Sequence, residues 1–200
     1  HHVFIFRQDL TALRQRLENF GLEPSFRREH HGQGTANICY CFDNIYLELL
    51  WVEDITAGRD PGVARTALIE RGSSNMSACP IGIAWRDGLH APPDIETWNC
   101  EAPTLPAGAS IAVATESDDP AAPFSFRSPG TRAPREWTDG RAGSLQRAVG
   151  LGPVERVTPG CPANYRPGRS IAELGKTTML SIEIAVRWSL TIEISRRSSA

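Results

Sequence analysis

The chain has 200 residues, is 40% hydrophobic and 22% charged, and carries a formal net charge of -2. That balance gives no reason to expect a nucleic acid or an anionic membrane surface as partner, and the apolar content argues against global disorder. No apolar run reaches the length of a membrane-spanning helix, and the opening HHVFIFRQDL lacks the basic segment, long hydrophobic region and cleavage site of a signal peptide.

His1 to Phe6 is apolar and aromatic and reads as a strand. Asp9 caps a helix whose stripe is Leu10, Leu13, Leu17 and Phe20, ended by Gly21. Pro24 to Arg28 reads as a short strand. In Thr35 to Asp43, Ile38, Tyr40 and Phe42 alternate with Asn37, Cys39 and Cys41. Asp43-Asn44 is a turn signal, and Ile45 to Val52 is the next strand. The order is β-α-β-β-β. This last strand, YLELLWV, buries a glutamate, Glu48, in an apolar run, which is costly unless something neutralises it.

Asp60-Pro61 opens a helix expected to run to Gly72. Cys79 to Arg86, with IGIAW at its centre, reads as a buried strand. From about 90 to 140 the chain turns rich in Pro, Gly, Ser and Asp, with strands expected near 110–114 and 124–127. A weak helix is expected at 142–149, a strand at 153–157, and two alternating strands at 178–185 and 188–195, before a loose tail RRSSA. The second half thus reads as a repeat of β-α-β-β-β with a long insertion. YLELL (46–50) and LTIEI (190–194) fall at the same point of the two halves, each with a Glu inside it, Glu48 and Glu193. This divides the chain into a first module (1–54), a linker with a short helix (55–77) and a second module (78–200), together one domain.

Five cysteines, at 39, 41, 79, 100 and 161, form no CxxC and no zinc spacing. An odd count fits reduced thiols and a cytoplasmic location. Cys39 and Cys41 read as small buried thiols rather than a reactive pair. LGKTT (174–178) looks like the end of a phosphate-binding loop, but the Gly required five positions before Gly175 is Ser170. His30 and His31 lie in a Gly-rich loop and read as exposed turn residues with a secondary reading as pocket rim.

HHVFIF followed by a capped helix, then HGQGTAN, then YLELLWV, resembles the glyoxalase-like domain family of the vicinal oxygen chelate superfamily. IGIAWR and FRSPG…WTDGRAG are similar to later segments of that family. The resemblance implies an α+β fold of paired βαβββ modules whose sheet curls around a central cavity. It implies a divalent metal (Fe, Mn, Ni or Zn) held by a His or Gln of each first strand and a Glu of each fourth strand. Carried over, the ligands fall on His2, Glu48 and Glu193. The remaining position lies in IGIAW, where Ile81, Gly82 and Ile83 offer no donor. Asn37, Trp85 and Arg127 are the substrate-binding candidates, with Trp98 and Trp137 at a cavity mouth.

Two functions follow as expectations. One is a metal-dependent lyase, isomerase or dioxygenase acting on a small oxygenated molecule, with Glu48 as catalytic carboxylate. The other is a binding module that sequesters a small amphipathic ligand. The partner in both is a small molecule, and the family's habit of pairing modules between chains adds a homodimer as an option.

Overall fold

The structure is a computed structural model that describes residues 2–73, 77–86, 94–177 and 179–197. Part of the expected insertion (87–93), the start of the strand expected at 178–185, and the end of the tail (198–200) lie outside the described residues.

The first module forms as its pattern requires. It runs β1 (His2–Phe6), α1 (Thr11–Asn19), β2 (Phe26–His30), β3 (Thr35–Cys41) and β4 (Tyr46–Val52). Asp9 Oδ1 accepts the amide of Thr11 at 2.9 Å and so steadies the start of α1. Leu13 and Leu17 of α1 pack on the sheet, but Phe20, expected in the same stripe, is 62% exposed because the helix ends at Asn19.

Asp60 caps α2 (Pro61–Ala64) through the amide of Gly62, with Pro61 at the first helical position. The expected single helix to Gly72 is broken at Ala67, whose φ of 52° is left-handed, and α3 (Leu68–Gly72) begins anew. The chain then makes β5 (Ile81–Trp85), β6 (Thr97–Cys100), β7 (Ile111–Ala114) and β8 (Phe124–Arg127). These eight strands form one sheet in the order β2-β3-β4-β1-β5-β8-β7-β6. Each half repeats the same arrangement: β1 is parallel to β4, β5 is parallel to β8, and β1 meets β5 antiparallel at the centre.

This corrects the expected second module. Its four strands are β5 to β8, all before residue 128, and the strands at 111–114 and 124–127 are part of the pairing, not an insertion. The last fifty residues build a separate sheet: β9 (Leu151–Pro162), flanked by β10 (Glu183–Ala185) and β11 (Ser189–Arg196). Between β9 and β10 lies α4 (Arg169–Thr177), a helix absent from the sequence expectations; the expected helix at 142–149 is turns ending in one 3-10 turn at Arg147–Val149.

Two cores result. On the convex face, Ile38, Tyr40, Leu49, Ile83 and Trp85 pack against α1 and against Val154, Val157, Ile171 and Leu174 of the C-terminal sheet and α4. On the concave face, Phe4, Phe6, Leu50, Val113 and Phe124 form the second cluster. Each such buried side chain contributes on the order of 2 kcal/mol. Asn44 clasps β9 to the first module: its side chain donates to Val154 O and accepts from Val154 N, both at 2.9 Å. No described helix is long and apolar enough to cross a membrane.

Candidate active site

The concave face holds a cavity of ≈ 500 Å³. Strand alternation decides what enters it. β1 sends His2 and Phe4, β3 sends Asn37, and β4 sends Tyr46, Glu48 and Leu50. The parallel register sets Phe4 beside Glu48 and His2 beside Tyr46. The His2 ring stacks on Tyr46 with centroids 4.3 Å apart, which fixes where its imidazole points.

Glu48 is only 7% exposed. Its Oε2 lies 3.3 Å from His2 Nε2, and its Oε1 accepts a 2.6 Å hydrogen bond from Asn37 Nδ2. Asn37 Oδ1 accepts the backbone amide of Arg28 at 3.0 Å, so the amide is held with its NH2 towards the carboxylate. Asn37 Nδ2 is also 3.4 Å from His30 Nε2, and His30 Nδ1 is 2.8 Å from Thr35 Oγ1. A polar chain thus runs along the wall of the first module from His2 to Thr35.

Burial lifts the Glu48 carboxyl to about 7, with the Asn37 hydrogen bond and the Arg28 charge pulling the other way. Burial also holds His2 well below the ordinary imidazole value, and it brings His30 down to about 4, with Arg28 adding to the effect. Desolvation favours the neutral form of both His2 and Glu48. Below about 7 the pair therefore holds its proton on the carboxyl, with the imidazole facing it as acceptor. Cys39, opposite Glu48 across the strands, is pushed well above the usual thiol value by burial and by the Glu48 charge; burial brings Cys41 to about 11. Both are inert thiols at neutral pH.

The other wall is aromatic. Phe124 and Phe126 of β8 face the cavity, with the Phe126 ring 5.5 Å from that of His2. Phe26, Tyr46 and Trp137 meet in a corner with centroids 5.7 to 6.1 Å apart.

The structure brings His2, Glu48 and Asn37 together as the sequence suggests. It separates the rest. Glu193 lies on β11 in the C-terminal sheet, where it pairs with Arg156 at 3.5 Å and both side chains are more than half exposed. Trp85 is buried in the convex core, on the opposite face of β5, and Arg127 is exposed at the end of β8. Trp98 packs in the concave cluster under the Arg65 guanidinium, 4.1 Å from its ring centre. Trp137 does line the cavity, and so does His30, while the His31 side chain is 89% exposed. Arg28 and Arg141 also line the cavity and were not foreseen; the alternation of β2, with Phe26, Arg28 and His30 on one face, was the available signal for Arg28.

A metal of the kind the resemblance implies needs three or four donors converging from both halves. The first half supplies His2 and Glu48. The β5 and β8 places on the concave face hold Gly82, Ala84, Phe124 and Phe126, which have no donor. Among the described residues, Cys100 of β6 is the one His, Cys, Asp or Glu that the second half's strands bring to the cavity lining. A Cβ on Gly82 would sit 1.7 Å from Phe4 Cζ, so that ring fills the space a ligand side chain would need. Among the described residues no group of three or more His, Cys, Asp or Glu converges for a metal. The donor set does not fit the family's metal.

Comparison with known proteins bears on the first module. Residues 1–77 match the model of a family described as a glyoxalase-like domain. No curated protein matches. Among solved structures, a Streptomyces coelicolor methylmalonyl-CoA epimerase variant in complex with 2-nitronate-propionyl-CoA is similar at 16% identity; the match covers 64% of this chain and 96% of that one, with a TM-score of 0.37. A methylmalonyl-CoA epimerase in complex with methylmalonyl-CoA and NH4+ is similar at 16% identity, covering 66% and 95%, with a TM-score of 0.38. The stretch 1–77 that matches the family model carries His2, Asn37 and Glu48.

Proposed function

We propose that this domain is an isomerase- or lyase-type enzyme that moves a proton on a small carbonyl compound, with Glu48 as general base. The observation that carries this is a buried carboxyl at the wall of a cavity, gripped by Asn37 and 3.3 Å from an imidazole nitrogen. A carboxyl poised at about 7 takes up and returns a proton at small cost near neutral pH. In its ionised form Glu48 removes the proton beside the carbonyl; the electron pair of that C–H bond forms the carbon–carbon double bond of an enolate, and the carbonyl π pair moves onto the oxygen. The same carboxyl, or His2 through it, returns the proton to carbon. Asn37 is a positioning residue, because its amide holds the carboxylate. No step in this reading passes through a metal.

A second reading has its own support. The side chains that β5 to β8 send to the cavity are mainly apolar, Ile111, Phe124 and Phe126 among them, which bind apolar surface but do not stabilise a developing oxyanion. That favours a module that sequesters a small amphipathic molecule.

Exchange of α-protons for deuterium separates the two. Pyruvate, hydroxyacetone and phenylpyruvate would be followed by proton NMR in deuterated buffer. Exchange above the buffer rate with the wild type, lost in Glu48→Gln, supports proton transfer. Equal rates with both proteins, for probes that the cavity binds, support sequestration.

A further inference from the structure

We infer that the molecule taken into this cavity carries an anionic head, a carboxylate or a phosphate, and that Arg28 and Arg141 receive it at the aromatic corner. This rests on the reading that the cavity handles a small molecule, and it names the class of that molecule.

Neighbouring arginines on β2 set the argument. Arg27 faces away from the cavity and is matched there: its guanidinium lies 3.8 Å from Glu29, 3.9 Å from Glu53 and 5.4 Å from the centre of the Trp51 ring. Arg28 faces the cavity and makes no ion pair with a carboxylate among the described residues, though its charge is felt at Glu48; its guanidinium lies 5.9 Å from the centre of the Phe26 ring. Arg141 arrives from the loop after β8 and lies 4.0 Å over Trp137, with Asp139 3.1 Å from its Nε. That pair is open to solvent, which leaves much of the Arg141 charge available.

The balance of charge along the wall is a separate observation. Among the described residues the ionisable side chains lining the cavity are Arg28, Arg141, Glu48, the histidines His2 and His30, which burial disfavours as cations, and Tyr46 and Cys100, which burial keeps neutral. In a chain of net charge -2, the cavity is therefore a locally positive place. Both guanidiniums are planar forks suited to oxyanions. Phe26 and Trp137 lie under them, and Tyr46 joins that corner to His2. An elongated ligand would put its anion on the arginines, its apolar body on the rings and its reactive carbon beside Glu48.

Titration calorimetry at low salt tests this with benzoylformate, phenyl phosphate and the neutral benzoylformamide. At least one anion should bind about tenfold or more tightly than the amide. Arg28→Gln with Arg141→Gln should remove the difference, and added salt should shrink it. Which anion wins tells carboxylate from phosphate. Equal binding of all three, a preference that survives the double variant, or no binding of any probe at millimolar concentration would overturn the inference. Glu48→Gln should leave the anion preference in place while abolishing deuterium exchange, so failure of the anion reading and failure of the proton-transfer reading show in different measurements.

Discussion

The two halves of the eight-stranded sheet share one strand arrangement and differ in what they send into the cavity. The β1–β4 half sends His2, Asn37 and Glu48; the β5–β8 half sends Cys100, Ile111, Phe124 and Phe126. The backbone pairing is thus no guide to the chemistry, which is set by single side chains at cavity-facing places. Where the second half gives up donors, the rings of Phe4 and Phe126 fill the space and dry out Glu48. That burial is what raises the Glu48 carboxyl to about 7.

This contrast can be broken most sharply at Glu48. Glu48→Gln should lower the rate of catalysed proton exchange by roughly 10² to 10⁴. In the wild type, ionised Glu48 should limit the reaction, so the rate should rise with pH through about 7. The same carboxyl governs stability. Its folded value lies above the unfolded value of 4.5, so its contribution is greatest below pH 4.5 and is lost as pH rises to about 7. The loss is on the order of 3 kcal/mol. Denaturant titrations of wild type and Glu48→Gln, compared between pH 4.5 and 8, should show that decline in the wild type alone.

Gly82→Ala comes next. Its Cβ would meet the Phe4 ring at 1.7 Å, so the second half cannot regain even a methyl group without cost. A loss of about 3 kcal/mol is expected, with part of it recovered when Phe4→Ala is added, a coupling that urea melts would read. Asn37→Ala should cost about 1 to 2 kcal/mol. It should also move the acid limb of the rate profile upward, because the Asn37 hydrogen bond holds the Glu48 carboxyl down. Glu193→Gln should change stability by less than about 0.5 kcal/mol, since its ion pair with Arg156 is exposed, and should leave exchange untouched.

The first module was legible because its signals agree. An apolar strand, a helical stripe, a turn at Asp43-Asn44 and two alternating strands point to one pairing, and the buried Glu48 stood out against them. The second was not: β7 and β8 were expected as strands, but in a Pro- and Gly-rich stretch they read as part of an insertion, and the four-residue β6 gave no signal there. LTIEI has the alternation of a half-exposed strand, and alternation says nothing about which sheet a strand joins. β5 is buried on both faces, so parity could not tell that Trp85 points away from the cavity. Arg28 was hidden for the opposite reason: an exposed-looking run, FRREH, carries one guanidinium to each side of the sheet.

The seam between β1 and β5 has a consequence for how the chain assembles. Residues 2–52 contain four strands that pair among themselves, but β1 closes only when a segment about eighty residues later arrives. During synthesis that is a wait of several seconds at the usual pace. Through it, HVFIF is an open apolar edge whose free amides and carbonyls match those of a second copy. Fragments ending near Val52 should therefore pair through β1 or aggregate, whereas extending them through Trp85 should restore solubility.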